Sequence, residues 1–322
     1  QITGKQNVGR MMEMEQQKLL QVQQEVNQVI QGKEDVVKKV FAAMIAGGHI
    51  LMEDIPGVGK TTLATTFAKT LELVYHRVQF TPDVLPSDIL GFSMYDNKTG
   101  KFDFHPGSVF CNLFLADEIN RTSPKTQSAL LEVMEERQAS VEGKTWKLPD
   151  PFFVIATQNP SGSSGTQLLP ESQLDRFMTC LSMGYPSHRD AVSILKGEVW
   201  KQTDKRQRVL SIEELKELQR EAEQIYVHDE IYEYIVSLVE ETRKTEFFAE
   251  GASPRATIAL LRMARAIARL EGRDFVTAQD VQKVLKDVLG HRVKLGARAR
   301  AEGKSMEECI QELILQVKSP RS

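Results

Sequence analysis

Between residues 49 and 183 short apolar runs alternate with stretches of helical spacing. The runs are His49–Glu53, Tyr75–Phe80, Phe110–Ala116, Phe152–Thr157 and Phe177–Met183. Short, nearly continuous apolar segments separated by helices are the mark of a parallel sheet covered on both faces. The pattern predicts an α/β core of three layers on a parallel five-stranded sheet. Two stretches interrupt it. Tyr95 to Phe104 alternates aromatic residues around a turn with Asn97 and Gly100, and Ala139 to Leu148 turns at Gly143-Lys144. Each reads as a projecting β-hairpin or as an ordinary polar surface loop.

The flanks are helical. Leu19, Leu20, Val22, Val26, Val29 and Ile30 share one helical face before Gln31-Gly32-Lys33 breaks the pattern. Val36 to Ala46 follows as a helix ended by Gly47-Gly48. After Tyr185-Pro186 the strand signal fades. Helices are expected over Ile212–Glu223, capped by Ser211 with an acidic first turn, and over Asp229–Thr242, Ser253–Glu271 and Thr277–Val288. The expected organisation is an N-terminal helical extension over 1–24, an α/β core over 25–186 and an all-helical domain over 187–322.

Composition narrows this little. The 322 residues are 41% hydrophobic, enough for one large or two ordinary domains. A net charge of -3 points to neither nucleic acid nor membrane as partner. The three cysteines, Cys111, Cys180 and Cys309, are widely spaced and suggest neither a disulfide framework nor a zinc site. The longest apolar stretch, Val40 to Met52, contains Gly47, Gly48 and His49 and falls short of the roughly 20 residues that span a bilayer. No secretory pattern opens the sequence. The expectation is a soluble, cytoplasmic protein without membrane insertion.

The chemistry gathers at the carboxyl ends of the expected strands, where open parallel sheets bind ligands. After the first strand runs Asp54-Ile55-Pro56-Gly57-Val58-Gly59-Lys60-Thr61-Thr62, and a helix follows. Backbone N–H groups of such a loop and the helix N-terminus make a nest for phosphate oxygens. Lys60 would reach the β- and γ-phosphates, and the Thr61 hydroxyl would hold Mg²⁺. The third strand ends in Asp117-Glu118. Asp117 would help hold the metal through water, and Glu118 would polarise the attacking water. Asn159, after the fourth strand, either orients that water or forms an Asn-Pro turn. Arg176 leads into the fifth strand, and Arg255 starts a helix of the second domain. Each either stabilises charge on a transferring phosphoryl group, Arg176 from one subunit to the next, or forms a plain salt bridge. Arg262, Arg265, Arg269 and Arg273 give the second domain a basic face, either simply solvated or in contact with a neighbour or a phosphate.

These residues, in this order, resemble an AAA+ ATPase. Longer runs resemble the MoxR family: Leu115 to Arg121, Ser123 to Glu132, Met134 to Arg137, Phe153 to Pro160, Leu169 to Phe177 and Gly251 to Ala256. The resemblance covers about 25–295 and is densest over 47–186. It implies an AAA+ P-loop NTPase core with a helical lid. ATP and Mg²⁺ would bind at a Walker A motif with Lys60 and Thr61 and a Walker B motif with Asp117 and Glu118. It makes Asn159 sensor 1, Arg176 the arginine finger and Arg255 sensor 2. It places the base against Val29, Ile30 and Gly32, and the hairpins toward a pore or client. It also implies a ring, often hexameric, acting in maturation or assembly of protein complexes, including metal-centre insertion, with partners bearing von Willebrand factor A domains. The sequence departs from the pattern at Asp54, where the general loop has glycine, and at Ser161-Gly162-Ser163-Ser164-Gly165, where relatives carry a less flexible run.

Three functions compete. One is an ATP-driven remodelling chaperone acting on protein partners. A second is a nucleic-acid motor, disfavoured because Lys98, Lys101, Lys144 and Lys147 on the hairpins are offset by Asp96, Asp103 and Glu142. A third is a nucleotide-gated scaffold with slow hydrolysis.

Overall fold

The computed structural model describes residues 2–55, 57–159, 168–196 and 208–320. Pro56 and the Ser161–Gly165 departure lie outside the described residues. The chain begins with helices α1 (Ile2–Asn27) and α2 (Glu34–Ile45), strand β1 (Ile50–Glu53), α3 (Lys60–Thr70) and β2 (Tyr75–Gln79). Helix α4 (Pro86–Leu90) leads into a hairpin of β3 (Gly91–Asp96) and β4 (Lys101–Pro106), then β5 (Leu113–Asp117) and α5 (Pro124–Glu136). A second hairpin, β6 (Gln138–Val141) and β7 (Lys144–Lys147), precedes β8 (Phe153–Gln158), α6 (Glu171–Leu174) and β9 (Thr179–Leu181). Thereafter come α7 (His188–Leu195), α8 (Ile212–Gln224), α9 (Asp229–Glu241), β10 (Phe248–Glu250), α10 (Pro254–Leu270), α11 (Ala278–Leu289), β11 (Lys294–Leu295), α12 (Ala297–Ala301) and α13 (Met306–Gln316).

All five expected strands form one sheet, in the order β2-β5-β8-β1-β9, with every pairing parallel. The central strand β8 is buried at all six positions, which is why its sequence is apolar without alternation. Successive residues point to opposite faces. Thus Ile50, Met52, Leu113, Leu115, Phe153 and Ile155 pack on one side with α1, α2, α3 and the later helices. Leu51, Phe114, Ala116, Val154 and Ala156 pack on the other with α4 and α5. Gly48 just before β1 has no space for a side chain, because a Cβ there would lie 2.4 Å from the Met178 sulfur.

The helical part also contains a short antiparallel pair, β10 with β11, too brief to leave a periodic signal. Both hairpins form in the expected places. They are joined by Phe104 and Trp146, whose rings stack at 4.3 Å and 9°. The expected basic face is not continuous: Arg269 pairs with Glu221 and Glu15, and Arg273 with Asp280 and Glu271.

Candidate active site

The register of the sheet brings three loops to one edge. Glu53 lies opposite Gln158, Ala116 opposite Ala156 and Gln79 opposite Asp117, so β1, β5 and β8 end on nearly one row. The phosphate-loop residues follow β1, the acidic pair closes β5, and Asn159 follows β8. Together Gly57, Gly59, Lys60, Thr61, Thr62, Asp117, Glu118 and Asn159 line a cavity of about 370 Å³. Gly57 and Gly59 have φ of +85° and +97°, a backbone that side-chain-bearing residues adopt only under strain. Gly59 is also the residue from which α3 starts, so the helix N-terminus opens on the cavity.

Lys60 Nζ donates to the Asp54 and Ile55 carbonyls at 3.0 and 3.3 Å. Burial holds its ammonium below the ordinary lysine value, opposed by the charges of Asp54, Asp117 and Glu118. Asp54 itself is buried. Its carboxylate accepts the Ser182 hydroxyl at 2.7 Å and the Met183 and Gly184 N–H groups at 2.8 and 3.0 Å. An acid at this position therefore anchors the start of the phosphate loop to the chain leaving β9.

The acidic pair is held by residues that sequence reasoning missed. Asp117 Oδ1 accepts the Thr157 hydroxyl at 2.7 Å, and Oδ2 accepts Arg77 Nη2 at 2.7 Å. The Glu118 N–H donates to the same Thr157 oxygen at 2.8 Å. Glu118 sits in the left-handed region at φ 58°, which turns its side chain sharply away from the strand direction, and it pairs with Arg121 at 2.8 Å. The Thr61 hydroxyl and the Asp117 carboxylate face one cavity, and both are hard oxygen donors suited to magnesium. No group of three or more acidic, histidine or cysteine side chains able to hold a metal occurs among the described residues. A cation here would thus rely on phosphate oxygens and water for its remaining ligands, which fits magnesium brought with a triphosphate.

A second recess adjoins the first, sharing Gly57, Gly59, Thr61 and Thr62 with it. Val29, Ile30, Val58 and Met183 line it, a mostly apolar setting that suits a planar base. Gly32 is not among its lining residues. It turns the chain at φ +68°, with the Asp190 carboxylate where a Cβ would sit.

Arg176 and Arg255 are not brought to these cavities. They meet in a separate cleft with Gly48, His49, Arg137, Arg262 and Arg292, sharing no lining residue with the phosphate cavity. Both reach Glu135, at the end of α5: Arg255 Nη2 lies 2.5 Å from one carboxylate oxygen and Arg176 Nε 3.2 Å from the other. The cleft holds five arginines against Glu135 and Asp175, so its field is strongly positive. Arg137 lies in a run that resembles the family but carried no assigned role, and Arg292 left no sequence signal that set it apart from surface charge. Arg77 had one, a cation inside a strand beside the acidic pair, readable only once the strand order is known.

Known proteins resemble the chain over most of its length. Residues 49–179 match the model of the ATPase family associated with various cellular activities, and residues 240–313 match an AAA lid domain. The chain is 46% identical to the uncharacterized protein YeaC of Bacillus subtilis, over 92% of each. It is 40% identical to Chaperone MoxR1 of Mycobacterium tuberculosis, over 92% of this chain and 81% of that one. A crystal structure of a candidate ATPase from Cytophaga hutchinsonii superimposes with a TM-score of 0.87 at 34% identity, covering 98% of this chain and 99% of that one. With the phosphate loop, the acidic pair and the helical lid in place, the chain belongs to the MoxR family of AAA+ ATPases.

Proposed function

We propose that this chain is an ATP-hydrolysing remodelling ATPase that works on protein partners, as a ring in which each nucleotide is completed by arginines of the next subunit. The observation that carries the reading is the separation of the two halves of the site. Lys60, Thr61, Asp117, Glu118 and Asn159 share one cavity, while Arg176 and Arg255 converge on another. Two arginines aimed at one carboxylate form a clamp that also suits a γ-phosphate, and a neighbouring copy is the natural source of one. Glu118 polarises the attacking water and Asn159 orients it. Thr61, and Asp117 through water, would hold magnesium, which would supply neutralisation of phosphate charge when bound. The base lies in the recess of Val29, Ile30, Val58 and Met183. The relative named as a chaperone supports protein clients. The paired charges on Arg269 and Arg273 leave little for a nucleic-acid track.

The test mixes two inactive variants. Arg176→Ala retains the phosphate loop, and Lys60→Ala retains the arginines. Mixed assemblies should recover ATP turnover that neither variant has alone. Mixed rings that form and stay inactive would refute the sharing of the site between subunits.

A further inference from the structure

Asp175 immediately precedes Arg176 and makes more polar contacts than its neighbours. Arg292, from the segment after α11, has a side chain only 3% exposed, and its Nε donates to Asp175 Oδ1 at 2.8 Å. The same guanidinium donates to the carbonyls of Asp175, Phe177 and Met178 at 3.1, 2.6 and 3.1 Å. The whole segment carrying Arg176 is thereby held by one side chain from the helical part. The Ser253 hydroxyl donates to the Asp175 carboxylate, 3.0 and 2.9 Å from its two oxygens, and accepts the backbone N–H of Arg255 at 3.1 Å. Burial lowers the Arg292 pKa, and the Asp175 carboxylate opposes that shift by favouring the charged form.

We propose that Asp175 is a positioning residue for hydrolysis: it locks Arg176 and Arg255 into one rigid pair that the helical part of the chain carries as a unit. The inference rests on the reading that both arginines complete a neighbour's site. Hydrogen bonds link Asp175 to Ser253 and Ser253 to Arg255, and the peptide bond links Asp175 to Arg176. A movement of α10 that left Arg176 behind would have to break both contacts of the Ser253 hydroxyl to Asp175, and a movement of α10 and α11 together would also pull Arg292 off three carbonyls. The phosphate loop shares none of these contacts, so loss of Asp175 should damage only the arginine-donating side of a subunit.

Asp175→Asn keeps the shape and removes the charge. Turnover should fall about tenfold to a hundredfold, the usual cost of a small misplacement of reacting groups, while ATP binding stays as in the wild type. Three equal mixtures then decide the matter. Arg176→Ala with Lys60→Ala is the reference. Asp175→Asn with Lys60→Ala should regain activity to the same degree, because the second chain supplies well-placed arginines. Asp175→Asn with Arg176→Ala should regain none, because neither chain does. If Asp175→Asn fails to assemble, Ser253→Ala carries the same test with a smaller fall and the same pattern of rescue. A reference mixture that stays inactive removes the shared-site reading and the inference with it. An active reference beside an Asp175→Asn mixture that Lys60→Ala cannot rescue, or an Asp175→Asn chain as active as the wild type, overturns the inference alone.

Discussion

Replacing Thr157 by valine tests a part of the site to which no motif assigned a role. The residue is 1% exposed, and its side-chain oxygen makes two hydrogen bonds, donating to Asp117 and accepting the Glu118 N–H. Valine fills the same volume and makes neither. The bond to a carboxylate contributes about 1.5–3 kcal/mol, and a backbone N–H left without an acceptor costs about 1–3 kcal/mol. Asp117 keeps its contact with Arg77 and Glu118 lies near solvent, so the sum is an upper limit and about 3 kcal/mol is expected. The functional loss should exceed what stability alone explains. Outer groups that orient metal-binding carboxylates are worth about tenfold to a hundredfold in metal affinity or activity. Titrating turnover with magnesium should show a higher metal requirement for Thr157→Val, while nucleotide binding measured in chelator stays unchanged. Thr157→Ser should restore most of both. A Thr157→Val enzyme with wild-type turnover and magnesium dependence would refute the argument that this hydroxyl sets the acidic pair.

Asp54→Gly would restore the general form of the phosphate loop and remove three hydrogen bonds to Ser182, Met183 and Gly184. It should lower the unfolding free energy by about 2–3 kcal/mol and weaken nucleotide binding, as chemical denaturation and calorimetry would register. His49 accepts the Val154 N–H at Nδ1, so its Nε2 proton goes to the Met134 carbonyl. Burial, together with Arg137 and Arg262, lowers its pKa to about 4. The unfolded chain therefore binds the extra proton between about pH 6.5 and pH 4, and stability should fall by about 3 kcal/mol as pH drops through that window. His49→Asn, which can still accept the Val154 N–H, should flatten the slope in pH-dependent unfolding. Trp146→Ala removes the stack on Phe104, worth about 1 kcal/mol. Amide exchange should quicken in both hairpins together and leave β8 unchanged.

Much of this was legible in the sequence because the signals are local. The sheet strands announce themselves as apolar runs, and β8 is the clearest because it is buried on both faces. The phosphate loop and acidic pair are fixed by residue type and by the strands that lead into them. What escaped depends on contacts across the sheet or between distant segments. Thr157 sits in an unremarkable Ala-Thr-Gln run and acquires its role only from the pairing of β5 with β8. Glu135 and Arg292 matter because α5 and the segment after α11 converge on one cleft, which no spacing reveals. The short elements α4, α6 and β10 are too brief for periodicity to show. The basic face running from α10 to Arg273 was legible as charge, yet Arg269 has its acidic partners on α1 and α8, and Arg273 has its own on α11 and at Glu271.

The central claim is that this cavity binds ATP with magnesium and that Glu118 drives its cleavage. The most direct measurement compares ATP affinity and turnover in the wild type and in Glu118→Gln. Both chains should bind ATP alike, and only the wild type should release phosphate. Equal phosphate release by the two, or no binding of any nucleoside triphosphate by either at millimolar concentration, would contradict it.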